Sequence, residues 1–181
     1  SNLDICLCQW GDPLPKKVLG WEGDYIISYL CRWVLSKEII NSASTAAINF
    51  HPASTKYPGI GCYNFALYKE DNEYGVTCHY MSEAVDTGKI ISTKEFPILP
   101  TDNIESLLKR TYDFQLILFY EILMKIINGS DLPISDKKME RKPYTRQEFE
   151  DLLIIKPDMD EREIKRRERA TKYEGWEGNG K

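Results

Sequence analysis

The chain has 181 residues, 42% hydrophobic and 29% charged, with a net charge of −4. That balance describes one globular domain with room for a small appendage; it excludes a disordered chain, a disulfide-stapled mini-protein and a broad nucleic-acid binder. The longest apolar run, residues 116–124, is interrupted by Glu121, so no membrane span or leader is read and a cytoplasmic location is expected.

In chain order, Ile5-Cys6-Leu7-Cys8 is a short strand candidate, and a Gly11-Asp12-Pro13 turn opens a helical turn over residues 14–19. Residues 24–30 form a clear strand, after which Ser36 caps a helix over residues 37–41 that leads to a second strand at 46–50. Strand, helix and strand at this spacing predict a βαβ unit with a parallel sheet, whose ligands bind beyond the carboxyl ends of the strands. Further strands are read at residues 75–81 and 89–98. Asp102 and Asn103 start a long helix running through Ile127 and closed by Asn128-Gly129, which packs across the sheet or serves a dimer contact. Residues 137–146 are polar and proline-bearing, and residues 160–171 form a charge-dense helix. Such a run is ordinarily a solvated face; its arginines and lysines are alternatively suited to a diphosphate. Five cysteines is an odd number, and Cys6-x-Cys8 lacks a second pair at metal spacing, so all are read as free thiols, mostly buried, and no metal is expected.

The chemistry concentrates in residues 48–88, which contain both histidines. Asn49 and His51 are two apart in a strand and therefore share a face, with Pro52 ending the ladder and leaving His51 at the strand terminus. A carboxamide donor beside an imidazole base suits acyl transfer, which needs oxyanion stabilisation and removal of a proton from the attacking group. Cys78 and His79 are adjacent in a strand and point to opposite faces, which argues against a nucleophile pair; both read as structural filling, with a place near the site as the alternative for His79. On the residues alone, Asp86 reads as a turn residue ahead of Thr87-Gly88.

The ordered set Asn49-x-His51-Pro52, Tyr57-Pro58-Gly59, Gly75-x-Thr77-x-His79 and Val85-Asp86-x-Gly88 resembles the catalytic core of the 10-formyltetrahydrofolate-dependent formyltransferases, from about Gly23 to the C-terminus. The resemblance implies an α/β, Rossmann-like formyltransferase fold with a mostly parallel sheet. It implies a catalytic domain over residues 1–130 and a C-terminal extension over 131–181. Only 48 residues precede Asn49, so about one β-α unit of the family's fold is expected to be missing. By the same resemblance Asn49, His51 and Asp86 are the catalytic Asn, His and Asp, and N10-formyltetrahydrofolate is the formyl donor. Its pterin pocket maps to Arg32, Trp33, Val34 and Leu35 on one side and Met81, Ser82, Ala84 and Val85 on the other.

The tail, with Arg141-Lys142-Pro143-Tyr144-Thr145-Arg146 and Arg169-Ala170-Thr171-Lys172-Tyr173, resembles that of the small sugar N-formyltransferases, as does Tyr57 through Tyr68. That branch implies a dTDP- or UDP-linked amino-dideoxy sugar as acceptor, for lipopolysaccharide O-antigen synthesis, and a homodimer. Lys56, Tyr57, Asn64, Tyr173 and Trp176 are the positions assigned to it, Tyr173 and Trp176 either stacking on the base or closing a core. Glycinamide ribonucleotide or another small amine is the alternative acceptor, and a catalytically silent folate- or nucleotide-binding module is the alternative of another class.

Overall fold

A computed structural model describes residues 3–9 and 11–173. Four strands, β1 (Gly23–Tyr29), β2 (Ala43–His51), β3 (Glu73–Tyr80) and β4 (Ile90–Pro97), form one sheet in the order β1-β2-β3-β4. Five helices accompany them: α1 (Lys37–Ile40), α2 (Cys62–Tyr68), α3 (Ile104–Ile127), α4 (Arg146–Leu153) and α5 (Glu161–Thr171).

The β1-α1-β2 unit is parallel as expected, and the Ser36 side chain caps α1 by accepting from Ile39 N–H. The expectation of a mostly parallel sheet is corrected: β2 with β3, and β3 with β4, are antiparallel. Chain length explains the first reversal. The seven residues of α2 rise only about 10 Å, whereas the nine-residue β2 is roughly 30 Å long, so the chain re-enters the sheet at the end where it left. The β3–β4 link, residues 81–89, is too short for a crossover, which takes about a dozen residues. Ile5-Cys6-Leu7-Cys8 is also corrected: it joins no ladder, and Leu3, Ile5 and Leu7 are exposed.

The core lies between the sheet and α3, where Ile104, Leu107, Leu118 and Ile122 are buried against Phe50, Val76, Cys78 and Phe96. Phe119 stacks edge-on against Phe50 and Tyr29 at 5.4 and 5.2 Å. Removing one such side chain, as in Leu118→Ala, costs about 2–5 kcal/mol. Asn103 caps α3 through a reciprocal pair of hydrogen bonds with Ser106, fixing where the helix starts. Residues after 130 share this core, since Tyr144, Leu152 and Ala170 belong to the same buried cluster.

Candidate active site

β2 delivers Asn49 and His51 to one place because residues two apart share a strand face. Asn49 stands directly opposite His79 in the β2–β3 register, so their side chains also meet on that face. The loop after β3 then turns back, with Asp86 in a left-handed conformation (φ 50°) that folds its carboxylate inward. Asp86 Oδ2 lies 3.3 Å from His51 Nδ1, and Oδ1 lies 3.3 Å from His79 Nε2 and 3.4 Å from Asn49 Nδ2. The three residues singled out in the sequence therefore converge, and His79 joins them.

Backbone partners fix the state of each ring. His51 Nε2 sits 2.9 Å from the Tyr57 carbonyl, which only accepts, so Nε2 carries the hydrogen and Nδ1 is the basic nitrogen of the neutral ring. His79 Nδ1 is likewise committed as donor to the Tyr80 carbonyl at 2.8 Å, which leaves Nε2 to accept from Asn49 Nδ2 at 3.2 Å. Asp86 Oδ2 also accepts from Gly59 N–H at 2.9 Å.

All three ionisable groups are buried, at 5% exposure for His51, 2% for His79 and 6% for Asp86. Burial pulls the His51 imidazole below its usual range, against the opposing pull of the Asp86 charge and the Tyr57 carbonyl. Burial also works to raise the Asp86 carboxyl, yet the flanking His79 and His51 rings and the Gly59 N–H together hold it below the ordinary carboxylate range. The site thus holds a carboxylate beside an imidazole that is neutral and basic near pH 7, which is a proton acceptor with a built-in counterion.

The second loop assigned to the pterin meets the start of α1, just after the first, through Lys37 Nζ and Glu83 Oε2 at 3.8 Å. Arg32 and Val34 are exposed, Leu35 is half-buried, and Trp33 Nε1 donates to the Asp12 carbonyl at 2.8 Å. Across from them Met81 N–H donates to Ala47 O, and the Ser82 and Thr87 hydroxyls both donate to Ala84 O at 3.0 and 2.8 Å, leaving Ala84 and Val85 exposed.

On the acceptor side two assignments are corrected. The Asn64 side chain is buried and donates to Ala170 O at 2.7 Å, tying α2 to α5. The Tyr57 ring is core, its hydroxyl donating to Asp71 at 2.7 Å, and only its carbonyl reaches the site. Both side chains are turned into the core toward these partners rather than presented at the surface. Lys56 is exposed and 3.4 Å from Asp71, Tyr173 is exposed, and Trp176 lies outside the described residues.

Sequence reasoning undervalued His79, whose signal was its two-residue offset from Thr77 opposite the Asn49–His51 pair. It also missed the roles of Gly59 and Cys62. The Cys62 thiol is 3.8 Å from His51 Nε2, but burial and the Asp86 charge push it up to about 12, so it stays protonated and is no nucleophile. Cys78 is buried filling, also pushed up to about 12 by burial. Only these two of the five cysteines are buried; Cys6, Cys8 and Cys31 are partly exposed, correcting the expectation that most are hidden. Among the described residues no group of three or more His, Cys, Asp or Glu could hold a metal ion, and no helix is long and apolar enough to cross a membrane.

A family model described as Formyl transferase matches residues 12–123. The phosphoribosylglycinamide formyltransferase of Haemophilus influenzae is 32% identical over 104 residues, covering 57% of this chain and 49% of that protein. A solved sugar N-formyltransferase from Shewanella sp FDAARGOS_354 is similar with a TM-score of 0.73 at 21% identity, over 84% of this chain and 62% of that one. An N-formyltransferase from Helicobacter canadensis, solved with folinic acid and dTDP-3-aminofucose, gives 0.67 at 22% identity, over 82% of this chain and 55% of that one. At those identities the structural likeness is one of fold. The chain spans about half the length of the Haemophilus protein it matches.

Proposed function

Because this chain belongs to the formyl transferase family, we propose that it moves a formyl group from N10-formyltetrahydrofolate to the amine of a dTDP- or UDP-linked amino-dideoxy sugar of the kind used in O-antigen synthesis. The observation that carries this reading is the convergence of half-buried Asn49 with buried His51 and Asp86 at the carboxyl end of β2. The neutral amine attacks the formyl carbon. Asn49 donates to the formyl oxygen as negative charge develops, exchanging its 3.4 Å contact with Asp86, the longest in the cluster, for the new acceptor. His51 takes the amine's proton at Nδ1, and the imidazolium it becomes finds Asp86 beside it. Asp86 therefore acts as counterion rather than base, and as the tetrahedral intermediate collapses and the formyl carbon–N10 bond breaks, the imidazolium gives its proton to N10 and tetrahydrofolate leaves. His79 holds Asn49 in place from the opposite strand, with its Nε2 also 3.3 Å from Asp86 Oδ1. The loops at residues 30–35 and 81–85 would hold the pterin, gripping a flat ring largely by backbone.

A sugar-nucleotide acceptor is favoured by likeness to the Shewanella sugar N-formyltransferase and to the Helicobacter enzyme solved with dTDP-3-aminofucose. It is also favoured by Tyr173, an aromatic surface open to stacking. Glycinamide ribonucleotide is the second reading, favoured by the Haemophilus relative. Incubation with N10-formyltetrahydrofolate and a panel of dTDP- and UDP-amino sugars, beside glycinamide ribonucleotide and a His51→Ala control, tests both. Tetrahydrofolate release with one sugar, lost in the variant, is the expected result. Turnover with glycinamide ribonucleotide alone replaces the acceptor, and folate binding with no turnover sinks the catalytic reading.

A further inference from the structure

The turn at residues 57–60 has two edges with different partners. Its inner edge serves the site: Tyr57 C=O accepts from His51 Nε2 at 2.9 Å, and Gly59 N–H donates to Asp86 Oδ2 at 2.9 Å. Its outer edge is paired by the tail. Tyr144 N–H donates to Pro58 O at 2.8 Å, Ile60 N–H donates to Tyr144 O at 3.3 Å, and Gly59 and Tyr144 form a parallel bridge. A second staple lies upstream, where Glu140 N–H donates to Thr55 O at 2.9 Å and the Thr55 hydroxyl donates to the Glu140 carboxylate at 2.7 Å.

Residue 144 is itself held hard. Its ring is 6% exposed and stacks on Phe65 with centroids 3.8 Å apart, while the Arg141 guanidinium covers it at 3.2 Å. Arg141 is fixed in turn by Glu148 at 2.7 Å, the residue that closes the capping box of α4 with Thr145. The approach leaves no room for a side chain at position 59: Gly59 has φ 91°, and a Cβ would lie 2.5 Å from both Tyr144 N and Tyr144 O.

From this geometry we infer that Tyr144 is a positioning residue for His51 and Asp86, acting through the turn it pairs with, so that the tail is part of the catalytic apparatus. The inference rests on the formyl-transfer reading only for its consequence on rate; the mechanical link stands on the hydrogen bonds alone. An unstapled turn lets Gly59 N–H and Tyr57 C=O drift, and both reacting groups lose the donor or acceptor that fixes them. The Arg141 and Phe65 contacts locate the staple, and the two backbone bonds transmit it.

The chain contains only two histidines, both in the site, so its imidazole NMR signals report on the site alone. Tyr144→Ala is compared with Tyr144→Phe, which keeps the stack, and with Arg110→Ala, which removes a bidentate contact to Asp102 at the start of α3. The expected result is that Tyr144→Ala speeds exchange of the Gly59 amide at least tenfold and broadens the His51 imidazole N–H. Tyr144→Phe and Arg110→Ala should leave both unchanged, even where Arg110→Ala lowers Tm as much. In turnover, kcat falls and KM for the acceptor holds. Unchanged Gly59 exchange in Tyr144→Ala, or the same change in Arg110→Ala, overturns the inference. Loss of Gly59 protection in a wild-type background that never releases tetrahydrofolate upholds the link and sinks the formyl-transfer reading instead. If Tyr144→Ala does not fold, Tyr144→Leu, which keeps apolar volume but not the stack, takes its place under the same criteria.

Discussion

Two aspartates lie equally deep in this molecule and are used in opposite ways. Asp86 is 6% exposed and Asp102 is 4% exposed, and both carboxyls are held below the ordinary carboxylate range against the cost of burial. Asp102 is gripped by the Arg110 guanidinium at 2.6 and 3.0 Å, by Leu99 N–H at 2.7 Å and by the Ser106 hydroxyl at 2.8 Å. None of those partners changes charge near neutral pH. Asp86 is flanked instead by two imidazoles, one of which, His51, is the proton acceptor of the proposed reaction. What separates the two is a partner able to take up a proton, His51, rather than exposure to solvent.

The largest expected effect separates the two. Asp86→Asn removes the counterion of the His51 imidazolium, and kcat for formyl transfer should fall by about 10²–10⁴-fold, far beyond what any accompanying loss of folded protein accounts for. Asp102→Asn should do the reverse. It leaves Arg110 unpaired at the corner between β4 and α3, and a loss of about 2–4 kcal/mol is expected, discounted because the guanidinium is a quarter exposed. Denaturant midpoints and initial rates on both variants check this. A kcat loss in Asp102→Asn that outlasts correction for the folded fraction would break the comparison.

The next effect is in pH. His51 has its folded pKa lowered, so the unfolded chain binds the proton first; stability is complete above about pH 6.5 and falls as pH drops from there toward the folded value. Asp102 has its folded pKa lowered as a carboxylate, so its contribution is present above about pH 3.9 and is lost as pH falls through the folded value. Two limbs should appear in a plot of stability against pH. His51→Ala should erase the upper one and Asp102→Asn should shrink the lower one. A His51→Ala curve that keeps the upper limb would assign it elsewhere.

These partners differ in how far the sequence displays them. Asn49 and His51 are legible because a strand's period of two is local, and α1, α3 and α5 are legible because Ser36, Asn103 and Asp160 cap them within three residues. What failed was non-local. The antiparallel return to β3 depends on how far α2 reaches, and neither α2 nor α4 was read from the chain. Asn64 looked like a ligand contact because nothing in its neighbourhood announces Ala170, more than a hundred residues away. His79 needed the β2–β3 register to be placed beside Asn49, and Tyr144 needed the tail's return to residues 57–60. Residue type reports what a side chain can do; the partners that decide whether it does so come from the fold.

Glu83 supplies the smallest effect and a control for the comparison. It pairs with Lys37 at 3.8 Å, but the two side chains are 77% and 65% exposed. Water screens that pair, and its contribution to stability should be well under about 1 kcal/mol. Lys37→Ala should therefore leave the denaturant midpoint within error and leave kcat intact. Because the pair ties the second pterin loop to the start of α1, just after the first, folate KM is where a change would appear, and a rise of less than threefold is expected. A larger rise, suppressed by salt, would mean the contact holds the second loop in place and that an exposed carboxylate can matter by location. A flat response would leave burial beside a proton-accepting partner as the property that sets Asp86 apart from both Asp102 and Glu83.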